Sequence, residues 1–206
     1  SGDLAWAHAV AARSAVRLDD IAEAGSRAYA ALQVAREVVD RGLESPDDAV
    51  AAQADALVTL SVCEEALGRD VAARSRLAEA KELARTSGNL GVELRTFFNT
   101  GISLLDAGRL GEAVAEFAAG EERAAATGTT WSGYGLELRV AHVLAAHMRG
   151  DWDDAERSAR MGAAAVSQTV ATRVAAAALL TAVGRGRFDA AERRIADLLA
   201  GRPTDD

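Results

Sequence analysis

Three histidines, one cysteine and one acidic run are the residues of this chain that could do chemistry, and none is spaced for it. His142 and His147 lie five residues apart, about 140° around a helix, so they share no face and do not make a metal pair. Cys63 is the only cysteine, which excludes an internal disulfide; in an apolar helical run it reads as a buried small hydrophobe. Asp151-Trp152-Asp153-Asp154 clusters carboxylates as a calcium loop does. Such a loop also needs glycine at its sixth position and glutamate at its twelfth, and here those are Glu156 and Gly162. The run reads instead as an acidic helix start, favoured by the positive end of the helix dipole. Lys81 has no phosphate-loop glycines around it, and Gly133-Tyr134-Gly135 lacks the third glycine of a dinucleotide fingerprint. With no nucleophile–base pair visible, the expectation is a non-catalytic chain with no metal and no cofactor.

The elements that carry these residues are helices. Half of the 206 residues are hydrophobic, much of that alanine, and 4% are aromatic. Small residues suit closely packed helices, and nothing alternates with period two for long enough to argue a sheet. The two prolines, Pro46 and Pro203, sit where a helix would have to stop. A net charge of −8, from 31 acids against 23 bases, is repelled by phosphate backbones, so direct nucleic-acid binding by this segment is not expected. No apolar stretch reaches the roughly 20 residues of a membrane span, no basic amphipathic stripe suits a membrane surface, and no signal peptide is visible. The expected location is cytoplasmic. The chain begins Ser1-Gly2 without methionine and reads as a segment excised from a longer protein.

Four stretches repeat one pattern: Gly68-Arg69-Asp70-Val71-Ala72-Ala73, Gly108-Arg109-Leu110-Gly111-Glu112-Ala113, Gly150-Asp151-Trp152-Asp153-Asp154-Ala155 and Gly186-Arg187-Phe188-Asp189-Ala190-Ala191. Each has alanine five residues after glycine, and the glycines are spaced by 40, 42 and 36 residues. A period of this size means stacked helical hairpins. In the clearest unit Phe97, Gly101 and Leu104 share a helical face. Gly101 allows close approach, Gly108 ends the helix at positive φ, Ala113 is the small contact on the second helix, and Phe117 fills the space between hairpins. A fainter first unit turns at Gly25, with Ala30 following. Asp153 with Glu156 and Asp189 with Glu192 read as capping-box starts. Ser45-Pro46-Asp47-Asp48 reads as another start, and Gly88 and Gly128 as stops.

These residues resemble the tetratricopeptide repeat, W-x2-L-G-x2-Y, A-x3-F, P. The third unit gives Phe97, Thr100-Gly101, Leu104, Ala113 and Phe117. The others keep Gly68, Ala73, Leu77 and Ala80; then Gly150, Ala155 and Gly162; then Gly186, Ala191 and Pro203. The resemblance implies an all-α, right-handed superhelical solenoid of about five hairpins, roughly 4–43, 46–87, 90–127, 133–168 and 169–201, in a single domain. The period exceeds the family's usual 34, so helices or loops must be longer. Residues from about 60 to 201 also resemble the helical-repeat region of large LuxR-family transcriptional regulators, through the Ala107–Ala113, Arg149–Glu156 and Gly186–Ala191 phrases. In that family a nucleotide-binding module precedes the repeats, a helix-turn-helix follows them, and the repeats receive an inducer or partner protein.

The first resemblance also implies a site. The first helix of each hairpin lines a concave groove, and its inward-facing positions fall on Arg95, Phe98, Ile102 and Leu105, then Glu137, Val140, Leu144 and His147, then Arg173, Ala176, Leu180 and Val183, with Val58 and Val62 contributing. Asn99 matches an asparagine that bonds a ligand backbone in peptide-binding members. The basic residues of a carboxylate clamp are missing: Val58 and Ala141 stand in their places. Trp131-Ser132-Gly133-Tyr134-Gly135 reads as a loop whose aromatics act as a lid or plug the gap between the third and fourth hairpins. The apolar floor suits a peptide, a partner protein or a small apolar inducer, or else a second copy of the chain. The expected function is a ligand- or protein-binding module, the sensing region of a LuxR-family regulator; the alternative is a stand-alone scaffold or adaptor.

Overall fold

A computed structural model describes residues 1–42, 46–160 and 167–200. The described chain is all-α, with ten helices and no strand among the described residues. They are α1 (Gly2–Arg17), α2 (Ile21–Asp40), α3 (Pro46–Ala66), α4 (Asp70–Ser87), α5 (Leu90–Asp106), α6 (Leu110–Ala126), α7 (Gly133–Arg149), α8 (Trp152–Ser158), α9 (Gln168–Gly184) and α10 (Phe188–Ala200). The chain falls into two compact units, Ser1–Thr100 and Gly101–Asp206.

One turn recurs five times and accounts for the glycine–alanine pattern. Gly68, Gly108, Gly150 and Gly186 all have φ between 70° and 87°. The N–H of the next residue reaches back five residues to a carbonyl: Arg69 to Glu64, Arg109 to Leu104, Asp151 to Ala146 and Arg187 to Ala182, at 2.8–2.9 Å. The glycine N–H itself bonds the carbonyl three residues back, at 2.8–3.0 Å. This is the Schellman arrangement, in which a left-handed residue closes the last helical turn. The residue after the glycine then starts the next helix, its carbonyl accepting from Ala73, Ala113, Ala155 or Ala191 at 3.0 Å. The alanine five residues after glycine is therefore the first residue to close the new helix. All four are buried, where a larger side chain would hold the helices apart.

The first turn corrects the sequence reading. It forms at Asp19, a non-glycine residue with φ 60°, and not at Gly25, which lies inside α2 facing Cys63. Aspartate tolerates the left-handed region better than most residues. Its Asp20 neighbour bonds Ala15, and buried Ala24 stands five residues after Asp19, as in the other turns. The capping boxes are corrected too. Because this turn leaves so little chain between helices, α8 and α10 begin at Trp152 and Phe188, placing Asp153 and Asp189 inside the first turn rather than at the cap. Gly88 and Gly128 end their helices at positive φ. Pro46 opens α3 with Asp47 and Asp48 in its first turn. Ser45, Gly162 and Pro203 lie outside the described residues. The long period resides in the helices: α1 to α7 run 16 to 21 residues each.

Within the first unit α1 packs on α2 and α3, and α3 packs on α2 and α4. The core is alanine-rich. Ala9, Ala12, Ala28, Ala31, Ala56 and Ala80 gather around Leu32, Leu57, Leu60 and Leu77. Each methyl-sized group contributes roughly 0.8 kcal/mol on burial, so stability here comes from many small contacts. Cys63 is buried with Ala15 and Ala24, its thiol donating to the Ile21 carbonyl, and burial raises its pKa. In the second unit α7 packs on α6, α8 and α9, and α9 packs on α8 and α10. Here Phe117 is fully buried with its ring on Gly101, within the hairpin rather than between hairpins. A Cβ at Gly101 would lie 2.2 Å from the ring.

Gly101→Ala should therefore destabilise the chain by about 1–3 kcal/mol in denaturant unfolding, the usual range for overpacking. Gly111→Ala, in the exposed first turn of α6, should be neutral or gain up to about 1 kcal/mol. Equal behaviour of the two would show that the Phe117 ring moves freely.

Candidate functional site

The residues that the repeat register places in a groove divide between the two units. In the first, Arg95 is not on an exposed edge. It is 4% exposed, and its guanidinium donates to the Asp55 carboxylate and carbonyl, each at 2.7 Å, and to Thr59 Oγ1 at 2.9 Å. Arg13 Nε lies 3.3 Å from the other Asp55 oxygen, close enough for charge pairing but not aligned as a hydrogen bond. A helical residue at this depth requires a counter-charge, and α3 supplies it from a fully buried aspartate. Asn99 turns its amide nitrogen to the Arg95 carbonyl, four residues back, at 2.9 Å. Phe98 is half-buried. Val58 is fully buried in the core, so it lines no groove, and Val62 is half-buried.

In the second unit Ile102, Leu105, Val140 and Leu144 are half-buried. Glu137 on α7 and Arg173 on α9 are joined at 2.8 Å, pairing the two helices at their edge. The exposed face of α9 carries Arg173, Ala176, Leu180 and Val183, at i, i+3, i+7 and i+10. Leu180 and Val183 are each nearly half exposed. His147 is a packing residue. Its Nδ1 lies 3.4 Å from Thr181 Oγ1, and its ring stacks on Trp152 with centroids 6.4 Å apart.

The segment read as a loop is largely the start of α7. Ser132 caps the helix by accepting from the Gly135 N–H at 3.2 Å, and Tyr134 is already helical. A Cβ on Gly135 would come within 2.4 Å of the Thr129 carbonyl, so the chain turns into the helix there only with glycine. Trp131 precedes the helix and lies beneath the Arg139 guanidinium, 5.0 Å from its ring centre.

Two constellations have no single-helix signature. The first is the charge series at positions 13, 55, 95, 137 and 173: arginine, aspartate, arginine, glutamate, arginine, spaced by 42, 40, 42 and 36 residues. The repeat period is the signal that finds Asp55 and Arg13. The second surrounds His142. Its Nδ1 faces Glu121 of α6 and its Nε2 faces Asp154 of α8, both at 3.1 Å. Ser158 donates to the same Glu121 oxygen at 2.6 Å, and Arg139 donates to the Ser158 carbonyl at 2.6 Å. The cluster borders an open depression of about 360 Å³. Burial pushes the imidazole pKa down, but the hydrogen bonds and charges of Glu121 and Asp154 outweigh it and hold the pKa above the ordinary 6.5. With both nitrogens on carboxylates, His142 is suited to hold charge rather than to accept a proton from a substrate. Among the described residues no group of histidine, cysteine and acids is arranged to hold a metal ion.

No protein-family model and no curated protein matches the chain.

Arg95→Met should cost about 3–5 kcal/mol in equilibrium unfolding, because it leaves the buried Asp55 carboxylate without its hydrogen-bonded partner and with Arg13 alone as counter-charge. Asp55→Leu with Arg95→Met should recover most of that loss. A double variant as unstable as the single one would show that packing, not charge, is what Arg95 supplies.

Proposed function

We propose that the chain is a non-catalytic ligand- or protein-binding module of tetratricopeptide-like hairpins, stacked as a right-handed solenoid, and that it serves as the sensing or interaction region of a LuxR-family transcriptional regulator. The observation that carries the binding role is the face shared by α7 and α9. Val140 and Leu144 are half-buried there, Ala176, Leu180 and Val183 are exposed, and the Glu137–Arg173 pair bounds them. Apolar side chains exposed together on one surface favour being covered. A peptide, a helix of a partner protein or a small apolar inducer would bury them, and α7 would shift against α9 to close on it. The regulator assignment draws on the sequence phrases alone.

A second reading, a stand-alone scaffold that self-associates, has its own support in α10. Phe188, Ile195 and Leu199 lie on one side of this helix and are 60%, 45% and 53% exposed. Apolar side chains exposed along one face of a helix favour being covered.

Leu180→Asp and Leu144→Asp, placed in the full-length protein, should abolish its response to inducer or partner while circular dichroism and the thermal midpoint stay near wild type. A normal response in both variants would rule out the α7–α9 face. If light scattering instead shows mass rising with concentration, and Ile195→Lys with Leu199→Lys suppresses the rise, the scaffold reading stands.

A further inference from the structure

His142 is a buried titratable group on which three helices converge. It lies on α7, is 5% exposed, and is held between a carboxylate of α6 and a carboxylate of α8. A neutral imidazole has one N–H and one lone pair. It can donate to Glu121 or to Asp154, and its other nitrogen then turns a lone pair towards a carboxylate oxygen. Only the imidazolium satisfies both contacts, and burial leaves little water to substitute. We propose that α6, α7 and α8 are joined by a protonation-dependent clasp at His142, which loosens α8 from α7 when the imidazole loses its proton.

The surrounding charges make the effect specific to this ring. On α6, Glu121 also holds Ser158 at 2.6 Å and lies 3.9 Å from Arg139, and Glu122 borders the same depression. On α8, Asp154 also pairs with Arg157 at 3.1 Å. Arg160, just beyond α8, offers its carbonyl to Arg139 at 3.1 Å. α9 also packs on α7, but its charges are engaged elsewhere: Arg173 with Glu137, and Arg185 at its end with Asp153 and Glu156. Deprotonation therefore leaves each carboxylate a partner and removes the link between α6 and α8 that passes through the ring. The helix α8 is the element that responds. It has seven residues, of which Ala155 and Ser158 are buried, and a helix that short does not persist without tertiary contacts.

The direction follows from the raised pKa of the folded state. The clasp is fully formed below the unfolded value near 6.5. Its contribution falls as pH rises from there through the folded value, and levels off beyond it.

The test is a titration of the intact chain. His142 ring resonances are followed by NMR, and hydrogen exchange of residues 152–158, corrected for intrinsic rate, is measured from pH 6 to 9. His142 should titrate above 6.5. Protection of α8 should fall by up to about tenfold per pH unit over that interval, while protection of α3 and α4 stays constant. Glu121→Gln should move the titration down, and His142→Gln should make the protection of α8 independent of pH. Titration of His142 at or below 6.5 overturns the proposal, as does flat α8 protection in the wild-type chain, whether or not the variants fold.

Discussion

A single left-handed residue at the end of a helix is the constraint on which the architecture depends. It lets the chain reverse within two residues and gives the final carbonyls their hydrogen-bond partners. It also starts the next helix at a fixed rotation, so that the same alanine always faces inward. With the reversal this tight, the first and second helices of a hairpin must approach closely. Alanine and glycine then become the residues that fit between them, as Gly101 under Phe117 shows. The buried alanines five residues after each left-handed residue follow from the turn.

Small residues give helices a smooth surface, and a smooth surface fixes register weakly. Buried polar contacts supply what shape does not. Asp55 can be neutralised only where Arg95 and Arg13 reach it. His142 between Glu121 and Asp154 does the same for three helices of the second unit. Such groups add less to stability than apolar packing of the same volume would, but they penalise a slipped arrangement by leaving a charge buried and alone.

Four of the turns between helices are legible because they are written in glycine, whose conformational freedom shows in the sequence. Asp19 makes the same turn, which aspartate seldom signals; the buried alanine five residues later is the sign the sequence offers. The site was less legible for a different reason. Positions assigned by repeat register say which way a side chain leaves its helix, not what it meets. Arg95 meets Asp55; His147 meets Trp152 and Thr181. Spacing within one helix relates His142 to His147 alone, whereas its partners stand 21 and 12 residues away on two other helices.

Unfolding free energies of Gly68→Ala, Gly108→Ala, Gly150→Ala and Gly186→Ala would test the central role of the turn most directly, because the sign of the change decides it. A left-handed position should lose about 1–2 kcal/mol when a Cβ is added, and Asp19→Gly should be neutral or stabilising. A gain of about 1 kcal/mol at the four glycines, as for an ordinary helix interior, would contradict the account.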